Sequence, residues 1–304
     1  MFILIFIFVT FSHLLFATIP CGVRNINGAG FDRFILGIET KNEFISRVIN
    51  GRSAYFGEVP WVTELQIRKG RSGYLCGGAI LDRNTVLTAA HCIYSCEREI
   101  PEQYSAQVCP SLKADVIRVC IGERNTADPN DGQTCYDSKK YFSHEQYKCC
   151  SGNHFNDIAI IKIVEGMDVP RFTKNGLGST NSICLPNVDV TTGPAYIAGW
   201  GRNNANTGSI PMTLQTASVN VISLQQCQKT FGQYVADKQT CALGSRGESA
   251  CSGDSGSSIF VEDRNQVSTA VGVTSFVANM RCTGNPVAYA KIYSYLDFIK
   301  KNMG

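Results

Sequence analysis

The apolar stretches of this 304-residue chain are short. "VIRVCIG" (116–122), "DIAIIKI" (157–163), "AYIAGW" (195–200) and "AVGVTSF" (270–276) are rich in Val and Ile and are bounded by Gly, Asn, Asp or Pro. β-Branched side chains suit a pleated, extended backbone, and the bounding residues turn it, so these stretches read as strands. Helical spacing is clear only at the end, in "KIYSYLDFIKKNMG", where Ile292, Leu296 and Ile299 recur at i, i+4 and i+7. Lys300 and Lys301 there suit the negative end of a helix dipole. The expected fold is all-β, two barrels or sandwiches closed by one C-terminal helix. No internal repeat interrupts it, and the polar, glycine-containing stretch 165–182 is the linker candidate between the strand-rich halves.

Compartment follows from the cysteines and the start of the chain. "MFILIFIFVTFSHLLFATIP" carries an apolar run from Phe2 to Val9 and small residues near Ala17. The run is shorter than the roughly 20 residues that span a bilayer, so it reads as a secretory signal peptide over 1–17 and not as a membrane anchor. Fourteen cysteines, an even number, fit an exported protein that keeps disulfides. Cys149 and Cys150 near His144 and His154 imitate a zinc site but lack the CxxC and HxxxH spacings, so no metal and no cofactor is expected. Lys plus Arg exceed Asp plus Glu by only 28 to 25, too small a surplus to indicate a nucleic-acid or membrane-surface partner. No N-x-S/T sequon is present.

Chemistry concentrates in "GDSGS", residues 253–257. Gly253 and Gly256 frame a tight turn that another molecule can approach closely, with Ser255 between them. A serine hydroxyl is a poor nucleophile until a base takes its proton and a third group orients that base. After the signal peptide, only His91, His144 and His154 remain as imidazoles. His91 ends the apolar run "TVLTAAHC", read as a histidine at a rigid strand end; Asp157 heads "NDIAIIKI", where a half-buried acid needs a hydrogen-bonding partner. Taken singly, one is an ordinary structural histidine and the other a turn residue. Together with Ser255 they give the order His, Asp, Ser, each in a setting that fits its role. The other common serine arrangement, the G-x-S-x-G elbow of α/β-hydrolases, is excluded because Ser257 stands at its last glycine and strand–helix alternation is missing.

"TAAHC", "NDIAII" and "CSGDSG" make the chain resemble the chymotrypsin-like (trypsin-type) serine endopeptidases over about residues 48–300. That resemblance implies two six-stranded antiparallel Greek-key barrels with a cleft between them, the first over about 48–168, the linker at about 165–184, the second with the C-terminal helix over about 185–304. It implies His91, Asp157 and Ser255 as the catalytic triad and the N–H groups of Gly253 and Ser255 as an oxyanion hole. Ser275 would support the triad acid, and Ser275, Phe276 and Val277 would pair with substrate as an added strand. "SRVINGR" (46–52) resembles an activation site: cleavage after Arg47 would end an 18–47 propeptide and free the amino group of Val48 to pair with Asp254. A secreted zymogen with a protein or peptide substrate, a trypsin-like activator and protein inhibitors is therefore expected; the alternative is a protease-like binding protein without catalysis.

The same resemblance puts Ser249 at the floor of the specificity pocket, where a trypsin has Asp, and Val277 and Val287 on walls that are commonly glycine. A shallow pocket for small or medium apolar residues follows. Implied disulfides join Cys76 with Cys92, Cys227 with Cys241, Cys251 with Cys282 and Cys21 with Cys184, while Ala195 and Val261 stand where a further pair is usual. Cys96, Cys109, Cys120, Cys135, Cys149 and Cys150 all lie between His91 and Asp157. Fifteen pairings are open to them, with Cys96–Cys109 and Cys120–Cys135 the expected ones. These loops are expected either to overhang the cleft or simply to brace it. "GDSGSS" departs from the usual GDSGGP at Ser257 and Ser258, and Phe276 stands where tryptophan is common.

Overall fold

The computed structural model describes residues 19–25, 49, 51–96, 111–147, 154–202, 210–278 and 282–304. The signal-peptide reading, Arg47, Val48 and the pairings of Cys109, Cys149 and Cys150 lie outside them, as does the side chain of Cys96.

Alternation builds the sheets. In β2 (Val62–Lys69) Leu65 and Ile67 are buried while Gln66 and Arg68 face solvent, and β12 (Gln215–Ile222) buries Ala217, Val219 and Val221 while exposing Ser218 and Asn220. The first sheet combines β2 with β3 (Ser72–Asp82), β4 (Thr85–Thr88), β7 (Val116–Ile121), β8 (Thr134–Ser138), β9 (Lys140–Ser143) and β10 (Ala159–Lys162), in the order β8-β7-β2-β3-β4-β10-β9. It is a curled half-barrel. Its two edge strands are consecutive in the chain, separated by Lys139 alone, so one bent strand serves both edges.

The second sheet orders β1 (Arg52–Ser53), β12, β11 (Gly193–Gly199), β14 (Ser258–Glu262), β15 (Ser268–Val277), β16 (Val287–Lys291) and β13 (Gln239–Leu243). Because β12 also pairs with β13, six of these strands close into a barrel and β1 is an added edge. The all-β expectation holds. The division at residue 48 needs adjustment: β1 pairs with β12, so the segment before β2 belongs to the second sheet, while the C-terminal helix reaches back to β10. A small pair, β5 (Tyr94–Cys96) with β6 (Ser111–Lys113), stands apart. No helix among the described residues is long and apolar enough to cross a membrane.

Both sheets contribute to one core. Trp61, fully buried before β2, meets Phe260 of β14 edge-on at 5.2 Å, and Leu65, Ile80 and Ile160 extend the cluster under the first sheet. A second cluster, including Ile197, Val219, Ile259 and Tyr289, fills the closed barrel. Ala195 and Val261 face one another in the register set by Tyr196 and Phe260, and both pack with this cluster. Residues 165–182 connect the sheets as a packed segment: Arg171 and Thr180 exchange backbone hydrogen bonds, and Met167, Thr180 and Asn181 are buried.

Disulfides join Cys21 with Cys184, Cys76 with Cys92, Cys120 with Cys135, Cys227 with Cys241, and Cys251 with Cys282. Cys120 and Cys135 are direct cross-strand partners of β7 and β8. Residues 19–25 dock where Cys21 anchors them. Gly22 bonds to Ser182 and Ser268, Asn181 donates to the carbonyls of Pro20 and Val23, and buried Asn25 donates to Thr173 and Ser179. Asn25 thus joins the folded body.

One buried acidic group stands out in the first barrel. Glu123 is 6% exposed, its Oε2 has no hydrogen-bond partner among the described residues, and burial together with Glu64 and Asp131 pushes its carboxyl up to about 8. The folded chain therefore holds this proton more tightly than the unfolded chain, so stability falls as pH rises from about 4.5 through 8. Glu123→Gln should be neutral near pH 4 and stabilising by about 1–2 kcal/mol above pH 8. Thermal melts of both proteins across that range check this; a constant difference would refute it.

Candidate active site

The register of two strands brings an imidazole and a carboxylate together. β4 pairs antiparallel with β10, with Thr88 opposite Ala159, so the residues just after Thr88 and just before Ala159 emerge at the same end. His91 does not end the strand itself, as its apolar run suggested. β4 stops at Thr88, and His91 sits in a one-turn helix, α1 (Ala90–Ile93), which turns its ring towards the cleft.

Asp157 is fully buried, and its carboxylate is saturated with donors. Oδ1 accepts the backbone N–H of His91 at 2.9 Å; Oδ2 accepts from His91 Nδ1 at 2.7 Å and from Ser275 Oγ at 2.5 Å. Burial alone would raise the Asp157 carboxyl, but the His91 ring and these hydrogen bonds bring it below its ordinary value. Burial would likewise lower His91, and the adjacent Asp157 carboxylate outweighs it and lifts the imidazole above the usual 6.5. With Nδ1–H committed to Asp157, a neutral ring presents Nε2 as an acceptor.

Ser255 arrives from the other sheet on a turn between Cys251 and β14. Asp254 N–H donates to Cys251, Ser257 N–H to Asp254, and Gly256 N–H to Thr274, while Gly77 N–H of β3 donates to the Ser255 carbonyl at 2.7 Å. Gly253 (φ +103°) and Gly256 (φ +83°) take left-handed conformations closed to most side chains. A Cβ on Gly256 would also strike Thr88 Oγ1 and the Gly77 carbonyl. The N–H groups of Gly253 and Ser255 have no acceptor within the described protein.

Ser255 and His91 line the same cleft, about 880 Å³, together with Ser275, Phe276 and Val277. Ser249 and Val287 do not reach it. Ser249 is buried with its hydroxyl on the Ala250 carbonyl, and Val287 faces Val277 across β15 and β16 and packs into the barrel core. The two valines thus fill space that smaller residues would leave open.

Asp254 is buried beneath this turn. Its oxygens accept from the N–H groups of Gly201 (2.8 Å) and Cys251 (2.9 Å), no cation among the described residues meets it, and burial pushes its carboxyl up to about 6. Ile49 bridges Ser249 and packs against Cys251 and Cys282.

Sequence reading missed part of the cleft. His154 stacks on Phe276 at 4.9 Å and stands edge-on to His91 at 6.3 Å. Phe231 and Tyr234 line the far wall, from the end of a helix α2 (Leu224–Phe231) and the turn after it. The signal was present: Ser223 caps that helix by accepting from Gln226 N–H, and Cys227 and Phe231 recur at i, i+4 on its buried side.

A strand-built cleft with this arrangement defines the class. The chain belongs to the trypsin family, whose model ("Trypsin") matches residues 48–299. It is 28% identical over 268 residues to the venom peptide isomerase heavy chain of Agelenopsis aperta, covering 84% of this chain and 100% of that protein. It is also 28% identical to phenoloxidase-activating factor 1 of Holotrichia diomphalia, over 84% of this chain and 70% of that one. Among solved structures it resembles HL collagenase (27% identity) and mouse neuropsin, a serine protease (23% identity), each with a TM-score of 0.66 over 84% of this chain and 99% of the other.

Proposed function

We propose that this protein is a secreted serine endopeptidase, made as a zymogen and activated by cleavage after Arg47. The observation that carries the reading is the Asp157 carboxylate, held by three donors, which fixes the His91 ring in the cleft that Ser255 shares.

In this reading Ser255 Oγ attacks the scissile carbonyl as Nε2 takes its proton, and the bond to Asp157 stabilises the imidazolium that forms. The carbonyl oxygen, now an anion, moves towards the unengaged N–H groups of Gly253 and Ser255; one such donor is typically worth about 3–4 kcal/mol in the transition state. His91 then protonates the leaving amine, and water hydrolyses the acyl-enzyme by the same steps in reverse. Activation supplies the missing cation: the ammonium of Val48 would enter beside Ile49 and neutralise Asp254. The apolar stretch at 1–17 and the disulfides favour secretion. The trypsin-family match and a relative named as a phenoloxidase-activating factor support a protein substrate.

Val277, on the cleft wall, favours small or medium apolar residues before the cut bond. After trypsin treatment, a fluorophosphonate probe should label Ser255, and Ala or Val peptide substrates should be cleaved at least about tenfold faster than Arg ones. Absence of labelling would favour a protease-like binding protein; faster cleavage after Arg would overturn the pocket reading alone.

A further inference from the structure

Three stretches of backbone run side by side away from the cleft. Ala54 N–H donates to the Leu214 carbonyl, Leu214 N–H to the Arg124 carbonyl, and Arg124 Nε to the Ala54 carbonyl. Tyr55 and Phe56 follow Ala54 directly, and Met212, two residues before Leu214, meets Thr126. These three large side chains are 41%, 39% and 55% exposed, and none of them lines the cleft. Apolar groups gathered in this way on a surface mark a place of contact.

The patch is held stiffly. The Arg52 guanidinium stands 4.9 Å over the Tyr55 ring and that of Arg124 stands 4.5 Å over Phe56. Each arginine is itself fixed, Arg52 by Glu58 and Arg124 by the Ala54 carbonyl. Both rings are thus set in place with apolar surface still in water.

What lies beside the patch is the end of the described N-terminal segment. Cys21 is bonded to Cys184, Arg24 pairs with Glu262 at 3.2 Å, and the N–H of buried Asn25 donates to the Gly57 carbonyl at 2.9 Å. Gly57 is the residue after Phe56. Beyond Asn25 the sequence continues with Ile26–Gly30, which contains two glycines, and then with "FDRFILGI" (31–38). Phe31, Phe34, Ile35 and Ile38 recur there at i, i+3, i+4 and i+7, the spacing of a single apolar face. Phe31 is six residues from Asn25, a reach of at most about 20 Å, so it stays close to Phe56.

We infer that Phe31–Ile38 docks on Tyr55, Phe56 and Met212, so that after cleavage at Arg47 the 18–47 chain stays on the protein at two places, the Cys21–Cys184 disulfide and this patch. The tether decides the occupant. A short flexible linker holds its segment at an effective concentration on the order of millimolar, which a second copy or a soluble partner would have to exceed. The docking requires neither the cleavage nor the chemistry of Ser255, because the link through Asn25 is the same in the uncut chain.

Trypsin reads the docking directly, since Arg33 lies inside the segment while Lys41 and Arg47 lie beyond it. A docked stretch must leave its site to be cut, so the rate after Arg33 follows the undocked fraction. The experiment uses the secreted full-length zymogen, a patch variant (Phe56→Glu/Met212→Glu), a segment variant (Phe31→Ser/Ile38→Ser) and their combination, with dilute trypsin and mass spectrometry of the fragments. Cutting after Arg33 should be about tenfold faster in either variant than in wild type and no faster in the combination, while cutting after Lys41 changes by less than about twofold. Amide hydrogen exchange over residues 31–38 should show the same order. Thermal melts check that each variant folds; should the patch variant fail to, the segment variant decides alone. Equal cutting after Arg33 in all four proteins would overturn the inference, as would protection that survives in the patch variant. Protection that fades on dilution, with dimers seen by light scattering, would give the patch to a second copy and overturn it too. If cutting after Arg47 releases no activity, the zymogen reading fails and this measurement still stands.

Discussion

Ser255→Ala in the trypsin-treated protein is expected to lower kcat for a peptide substrate by about 10⁴-fold or more, and Asp157→Asn by a similar factor. The reasons differ. Alanine removes the nucleophile and leaves only binding and the oxyanion donors. Asparagine keeps the shape of Asp157 but offers one oxygen and an N–H₂ group where the native carboxylate accepts three hydrogen bonds. The His91 ring would then favour the tautomer with its proton on Nε2, unable to act as a base. Combining the two changes should cost little more than either alone, because the groups act as a unit. Steady-state hydrolysis of one peptide by the four proteins measures this. Variants keeping more than about a tenth of wild-type activity would end the triad reading.

Arg47→Gln is expected to leave trypsin-treated protein at least about 10³-fold less active than the cleaved wild type. Asp254 shows why. It is 3% exposed, has two N–H donors and no cation among the described residues, and its carboxyl is pushed up to about 6. A buried charge without its partner costs several kcal/mol, and that cost falls on the turn carrying Gly253 and Ser255. The freed ammonium of Val48 would remove it. Asp254→Asn, cleaved normally after Arg47, should also be weak, since the ammonium then enters without a counter-charge. Comparable turnover by Arg47→Gln and cleaved wild type would reject the switch.

What the sequence made legible was local. "DIAIIKI" and "VIRVCIG" carry their strand signal in neighbouring residues, and β10 and β7 occupy their centres. Ile292, Leu296 and Ile299 lie on the terminal 3-10 turn and helix, where spacing alone located a helical face. Features that arise between elements were not legible. Nothing near His91 says that the strand stops at Thr88 and a helical turn begins, because "TAA" is compatible with either. The place of His154 depends on Phe276, which lies more than a hundred residues away. Val287 was assigned to the pocket from spacing, yet its position across from Val277 turns it into the core. Ser223 and the buried side of α2 were readable and were overlooked among polar residues.

The two halves are strapped together at both ends of the family domain. Arg52–Ser53 lies on the sheet of the half it does not precede, and the helix α3 (Leu296–Met303), which follows the second barrel, ends against the first, where Lys162 of β10 donates to the Met303 carbonyl and to Thr85 of β4. His91 follows β4 on the next helical turn, and Asp157 lies just before β10. Hinge opening of the cleft would have to peel off one of these crossing straps, so entry of a bulky protein must be governed by its rim loops and not by a swing of whole lobes.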